Sequence, residues 1–345
     1  MLRPDKEPLS HQCSHWVLRC STVNPETMKM EHIARLRELP QRLRGTIIGQ
    51  DDAVELVAEK LQHGELGLTS NGRPKASFLF LGPTGVGKTE LTLTFTQDLF
   101  GPGHLLRLDM SEYQTQDSLA LLLGTTRDDP GRFAEGFDAC GGRGTLLLDE
   151  IEKAHRRVLD ILLQLLDAGR LTTGGNRVLD FGGWYVVMSS NIGAERIMSL
   201  RKSKYESMQR LVREDAQKQL RPEIFARVTE VIVFKKLGYD DLCRIAALMV
   251  RREVSEQAAR GHVLSVEEEV FEVIIKRGFD ERLGARPMRS AVELLVRNAL
   301  TEDLLAGGMG CGKLRPDSTA TRLILAPYDE FDDEFASLAV MGEVP

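Results

Sequence analysis

Gly82-Pro83-Thr84-Gly85-Val86-Gly87-Lys88-Thr89 is the stretch on which the reading of this chain turns. Its pattern, G-x-x-x-x-G-K-[ST], collects residues that can bring backbone N–H groups to a phosphate. The glycines permit turns that a Cβ would obstruct, and a following helix adds the positive end of its dipole. In such a loop Lys88 reaches the β- and γ-phosphates of ATP and the Thr89 hydroxyl is a ligand for Mg2+. The flanks suit it: residues 77–81 are an apolar run of strand length, and residues 88–100 read as a helix.

Moving outward, residues 105–109 read as a second strand and residues near 116–123 as a helix. Thr145-Leu-Leu-Leu-Asp-Glu150 is an apolar strand ending in two acids, and ligand groups belong at the carboxyl ends of buried parallel strands. There Asp149 would hold the magnesium and Glu150 would orient and polarise an attacking water. Taken alone, the pair could equally be acids at a helix N-terminus; downstream of a phosphate loop, catalysis is the better reading. Residues 154–167 form a strongly apolar helical pattern, 184–189 a fourth strand and 231–234 a fifth. The fourth ends in Ser-Ser-Asn191, where Asn191 is either a contact to the γ-phosphate or water, or a helix cap.

This alternation predicts an α/β fold: a P-loop large domain with a parallel sheet flanked by helices over residues 45–234. Beyond Phe234, residues 240–257, 266–277 and 286–305 read as helices and 321–325 as a late strand, giving a small, mainly helical domain over 235–327. Residues 1–44 read as an N-terminal extension whose one short helix runs from Pro25 to Leu39 and stops at Pro40. Residues 328–345 read as an acidic tail.

The formal charge of −6 has a local origin. Asp329, Glu330, Asp332, Asp333, Glu334 and Glu343 fall in the tail with no base after Arg322, and the remainder carries equal numbers of acids and bases. A broadly basic nucleic-acid surface is therefore not indicated, and no helix-turn-helix or basic arm is visible. No apolar run reaches the 18 or so residues of a membrane span, and the charged N-terminus has no apolar stretch of a signal peptide. Five scattered cysteines suit reduced thiols of a cytoplasmic protein rather than a disulfide framework. His11, Cys13, His15 and Cys20 cluster, but at no common zinc spacing, and read as part of a flexible leader.

From about Thr46 to about Gly312 the ordered motifs resemble the Clp-type AAA+ unfoldases, especially the second ATPase module of ClpB- and ClpA-like disaggregases. Ile47-Ile48-Gly-Gln-Asp51 is similar to the family's adenine-side segment. Leu108-Asp-Met-Ser-Glu-Tyr113, Leu148-Asp-Glu-Ile-Glu-Lys-Ala-His155, Arg221-Pro-Glu-Ile-Phe-Ala-Arg227 and Gly284-Ala-Arg-Pro287 follow in order. The resemblance places Asn191 at the sensor-1 position, Arg286 at sensor 2 on the small domain, and Arg227 at the arginine finger that reaches a neighbouring subunit's nucleotide. Without the resemblance, a surface ion pair beside Glu223 or Glu230 is the better account of Arg227. The working unit it implies is a homo-hexameric ring that hydrolyses ATP.

The departures concern substrate. Family members carry an aromatic pore loop, typically Gly-Tyr-Val-Gly, where this chain reads Gly124-Thr-Thr-Arg-Asp-Asp-Pro-Gly-Arg-Phe-Ala-Glu-Gly136, shorter and without tyrosine. Phe133 is either a substitute grip or a packing residue. A second axial loop falls near residues 170–180. Ala226 replaces the family's asparagine before the finger, and the stretch 197–220 lacks the tripeptide by which some relatives dock a protease, so a Clp peptidase partner is not supported. No first ATPase ring, coiled-coil middle domain or N-terminal substrate domain is recognisable. The leading expectation is an ATP-driven remodeller of an unidentified protein substrate; the alternative is a non-threading switch or scaffold that loads or organises a partner complex.

Overall fold

Each of the five apolar runs becomes a strand of one sheet. The structure, a computed structural model, describes residues 30–70, 72–199, 204–280 and 283–328. Along it run α1 (Met30–Thr46), α2 (Asp51–Glu65), β1 (Ala76–Leu81), α3 (Lys88–Phe100), β2 (Leu105–Asp109), α4 (Ser118–Leu123), α5 (Gly131–Ala139), β3 (Thr145–Asp149) and α6 (Arg156–Ala168). There follow β4 (Arg170–Thr172), β5 (Val178–Asp180), β6 (Tyr185–Ser190), α7 (Ala194–Ser199), α8 (Tyr205–Gln219), α9 (Pro222–Arg227) and β7 (Glu230–Val233). The last elements are α10 (Tyr239–Ala258), β8 (Leu264–Val266), α11 (Glu269–Gly278), α12 (Arg286–Leu305), β9 (Gly312–Pro316) and β10 (Leu323–Ala326).

The main sheet has the order β2-β3-β6-β1-β7, and every neighbouring pair is parallel. Strands β1, β3 and β6 are buried along their whole length, as a sheet covered on both faces requires. Because all five run the same way, their carboxyl ends share one edge. Asp109 stands beside Asp149, and Leu81 lies between Ser190 and Val233. The chain leaves β1 for the far edge strand β2, so β1 sits where the strand order reverses, the place at which open α/β sheets bind ligands.

Amphipathic spacing sets the cover. In α6, Val158, Leu159, Leu162, Leu163, Leu165 and Leu166 are buried, a stripe at helical period; His155 caps its start and Gly169, in the left-handed region, ends it. On the α5 side of the sheet, Phe133, Phe137, Phe181 and Trp184 form an aromatic cluster, with Phe137 and Trp184 stacked at 5.4 Å.

Several details differ from the sequence reading, among them the helix α5 within the stretch read as a loop and shifts of a residue or two at element ends. The first helix does not stop at Pro40; α1 continues to Thr46, because Leu43 and Ile47 continue the apolar spacing and are buried, which outweighs the backbone hydrogen bond a proline forfeits. The helix expected from Val266 starts at Glu269, since Leu264–Val266 pairs in parallel with β9. The late strand therefore has company: β10, β9 and β8 form a three-stranded sheet packed with α10, α11 and α12. The expected start at Pro25, the His11–Cys20 cluster and the acidic tail from Asp329 lie outside the described residues. Among the described residues, no helix is long and apolar enough to cross a membrane.

Candidate nucleotide site

The loop between β1 and α3 turns on three glycines, Gly82, Gly85 and Gly87, with φ of 142°, 73° and 109°. Gly87 is the N-cap of α3 and offers no side-chain cap, leaving the first-turn N–H groups of the helix free for a ligand. A Cβ on Gly87 would meet only Ile47 Cγ2, at 3.9 Å, so its inner face is open. A Cβ on Gly82 would stand 2.8 Å from the Phe234 carbonyl oxygen, so that glycine serves close backbone packing instead.

Lys88 is buried and folds back over the loop, donating to the carbonyls of Gly82 and of Pro83 (2.9 Å) and to Asn191 Oδ1 (3.0 Å). Burial lowers its pKa to about 8; the negative charges of Glu152, Asp149 and Glu150 oppose that shift without cancelling it.

Asp149 ends β3 with both carboxylate oxygens engaged. Oδ1 accepts from the Ser189 hydroxyl and Oδ2 from Arg107 Nε, each at 2.8 Å. Glu150 follows at φ 55°, a left-handed conformation that costs a non-glycine residue about 1–3 kcal/mol. Its N–H donates to Ser189 Oγ at 3.3 Å, and its Oε1 accepts from Asn191 Nδ2 at 3.2 Å. Asn191 is thus a bridge. Its amide nitrogen holds Glu150, and its amide oxygen receives Lys88 and, at 3.3 Å, the Thr84 hydroxyl.

These groups open on one cleft of about 760 Å³. It is lined by Thr84 to Thr89, Arg107, Asp149, Glu150 and Asn191, by the apolar Ile47, Ile48, Leu237, Ile245, Leu248 and Met249, and by charged residues of α10 and α12, among them Arg252, Glu256 and Arg289. A lining of both kinds suits a nucleotide, whose phosphates need polar donors and whose base needs apolar walls. Arg286, the first residue of α12, lines the same cleft. Gly82 and Pro83 are not among its lining residues; they contribute the carbonyls that hold Lys88.

Arg227 is not among the cleft-lining residues. At the end of α9 it pairs with Asp167 of α6, rather than with Glu223 or Glu230 side chains, and donates to the Glu223 carbonyl at 3.1 Å. Phe133 is fully buried and meets Phe181 edge-on at 6.3 Å, which makes it a core residue. The loop before it is bound to itself: Thr125 donates from N–H and hydroxyl to Asp129 Oδ2 (3.1 and 2.9 Å), and Asp129 N–H donates to Thr126 Oγ1 at 3.2 Å. Gly124, Gly131 and Gly174 approach so closely that a Cβ on any of them would collide with neighbouring backbone.

Four residues near the site were not singled out by sequence: Arg107 and Ser189, which hold Asp149; Gln50, treated below; and Glu152. Glu152 Oε1 accepts the Asn191 N–H at 3.2 Å, while its Oε2 is buried without a hydrogen-bond partner. Ser189 carried a signal as a polar residue at the end of an apolar strand, and Gln50 and Glu152 lay within quoted motifs; Arg107 carried none.

Comparison with known proteins accords with this geometry. The family described as "AAA domain (Cdc48 subfamily)" matches residues 73–231, and "C-terminal, D2-small domain, of ClpB protein" matches residues 237–313. The chain belongs to the Clp-type AAA+ ATPases. Among curated relatives of this Clp-type chain, the chaperone protein ClpB of Vibrio vulnificus (strain CMCP6) is 39% identical over 285 residues, 81% of this chain and 33% of that protein. The ClpB of Aquifex aeolicus is 34% identical over 336 residues, 92% of this chain and 33% of its own length. The chain therefore spans about a third of the curated relatives it matches. Among solved structures, the S. cerevisiae Hsp104–ADP complex superposes with a TM-score of 0.78 at 28% identity, covering 90% of this chain and 55% of that one. Hsp104 with ATPγS and FITC casein gives 0.78 at 29% identity, covering 87% and 53%.

Proposed function

We propose that this chain binds and hydrolyses ATP with Mg2+ and works in an oligomeric ring, a homo-hexamer, as a remodeller or unfoldase of protein substrates. The observation that carries the reading is the Asn191 bridge, which joins a phosphate-binding lysine to a water-orienting carboxylate across one cleft. The donors suit magnesium. Thr89 and Asp149 offer oxygen to the same cleft, and this ion takes few protein ligands, completing its shell with phosphate oxygens and water. When bound, it would neutralise charge on the β- and γ-phosphates.

The chain's own groups then divide the work. The amides of residues 84–89 and Lys88 bind the phosphates, and Ile47 and Ile48 pack the base. Glu150 polarises water, with Asn191 fixing its carboxylate. Arg286 brings a cation from the helical domain, which we delimit at residues 235–327 against an ATPase domain at 45–234. Arg227, outside its own cleft, is assigned to a neighbour's nucleotide, to be reached once the pair with Asp167 is released. We place the protein in the cytoplasm, in keeping with its scattered cysteines. ClpB chaperones among the relatives favour remodelling over the scaffold alternative, although Phe133 is not the residue that grips a polypeptide.

The test is the Glu150→Gln variant. It should bind ATP like the parent while turnover falls by about 10²–10⁴, and an ATP-dependent pull-down with it should retain the substrate protein. Turnover per chain of the parent should rise with protein concentration and lose that rise in Arg227→Ala. Unchanged turnover in Glu150→Gln would refute the hydrolytic assignment, and a flat concentration dependence would refute the finger in trans.

A further inference from the structure

Gln50 precedes α2 as its N-cap, yet its side chain makes no capping hydrogen bond. The amide is used elsewhere. It is fully buried, and Nε2 donates both to the carbonyl of Val86, in the phosphate loop (3.2 Å), and to the carbonyl of Lys235 (2.9 Å). Oε1 accepts the N–H of Lys235 at 2.9 Å. The amide orientation is dictated by its partners: a flipped side chain would set N–H against N–H and oxygen against two carbonyls. Both donors and the acceptor are therefore committed to two backbone segments far apart in the chain. One is the cradle; the other is the connection from β7 to α10.

Neighbouring contacts reinforce that junction. Asp52 forms an ion pair with Lys235. Gly49, at φ +77°, lies where a Cβ would stand 2.7 Å from the Asp241 side chain, and Asp241 in turn accepts the Gly238 N–H at 2.9 Å. On its other side the loop is held by Ala285 N–H, which donates to the Gly85 carbonyl at 3.2 Å. A shift of Val86 must then either break a buried hydrogen bond or carry Lys235 with it.

We propose that Gln50 is a positioning residue that ties the phosphate loop to the β7–α10 connection, so that nucleotide on the loop is felt as ordering of residues 235–241. The proposal rests on the nucleotide reading above. It is tested in the full chain with Gln50→Met, which keeps length without hydrogen bonds, and Gln50→Glu, which faces two carbonyls with an acceptor. Each should weaken ATPγS binding about tenfold, the loss expected of a broken buried hydrogen bond. Amide hydrogen exchange supplies the readout that a merely structural role would not move. In the parent, saturating ATPγS should slow exchange over residues 235–241; in the variants, at saturation, that response should be lost. Melting without nucleotide reports folding, and if Gln50→Glu does not fold, Gln50→Met carries the test. Parent-like affinity or a parent-sized exchange response in Gln50→Met would overturn the proposal, as would a parent that binds ATPγS with no response at 235–241. Failure of the parent to bind at all would instead bring down the nucleotide reading, and this proposal with it.

Discussion

In the cleft, side chains from the ends of β3 and β6 converge with polar groups on open space, held by hydrogen bonds among Asn191, Glu150, Lys88 and Asp149. Around residues 124–131 it is backbone that converges, with Gly131 and Gly174 each close against Gly124 and Phe133 buried. The first region brings together Lys88, Asp149, Glu150, Asn191 and Arg286, which the sequence singled out, while Arg227 lies outside it. The second buries its aromatic, Phe133, and is closed upon itself. The physical requirements explain the contrast. A phosphate cradle needs particular donors at particular places, so few sequences serve. A loop bound by its own turn and packed through glycines needs only close approach, and it leaves its outward side chains free to change.

The largest expected effect lies under the second region. Phe133→Ala should lower unfolding stability by about 3–5 kcal/mol in denaturant titration, the cost of emptying an aromatic site in a packed core. Nucleotide affinity of the folded fraction should stay at the parent value. Intact stability with lost handling of a protein substrate would return Phe133 to an exposed working role and break the contrast.

A smaller effect separates the cleft by its charge. Lys88 titrates near pH 8 rather than at the usual lysine value, because burial disfavours its charged form. Only the charged amine attracts phosphate, so ATP affinity should fall about tenfold between pH 7 and 9. Stability of the nucleotide-free protein should move the other way. A depressed lysine pKa means that above pH 8 the unfolded chain binds more protons than the folded one, so stability rises from pH 8 toward the ordinary lysine pKa. Calorimetric titration and thermal melting across that range check both signs; an affinity independent of pH to 10 would remove Lys88 from phosphate binding.

The smallest effect sharpens the picture of the loop. Asp129→Ala removes the acceptor for the Thr125 N–H and hydroxyl in an exposed turn, which should cost about 1 kcal/mol. Faster amide exchange confined to residues 124–130, with the cleft unaffected, is the expected result. Spread of that effect into nucleotide affinity would show that the two regions are coupled.

Much of the fold was legible because its signals are local. All five strands of the main sheet stood out as apolar runs, two of them, β2 and β3, with the bounds that the structure shows, as did the helix α3. That legibility failed where pairing or packing partners are distant. Leu264–Val266 read as the beginning of a helix until β9 was there to pair with it, and Pro40 read as a stop until burial of Leu43 was known. Within the site, Lys88, Asp149, Glu150 and Asn191 could be named from motif and strand end. Arg107 could not, because its relation to Asp149 crosses from β2 to β3.

By itself the sequence determined the residue types of the loop and the strand ends that stand beside it, since a glycine loop between strand and helix constrains its own backbone and needs no distant partner. Tertiary structure alone decided which candidates face the cleft and which face the core. It placed Arg286 at the cleft and Arg227 against Asp167, enclosed Phe133 beside Phe181, and gave Gln50 two backbone segments to hold. Burial and hydrogen-bond partners are properties of the assembled neighbours, and no local pattern encodes them.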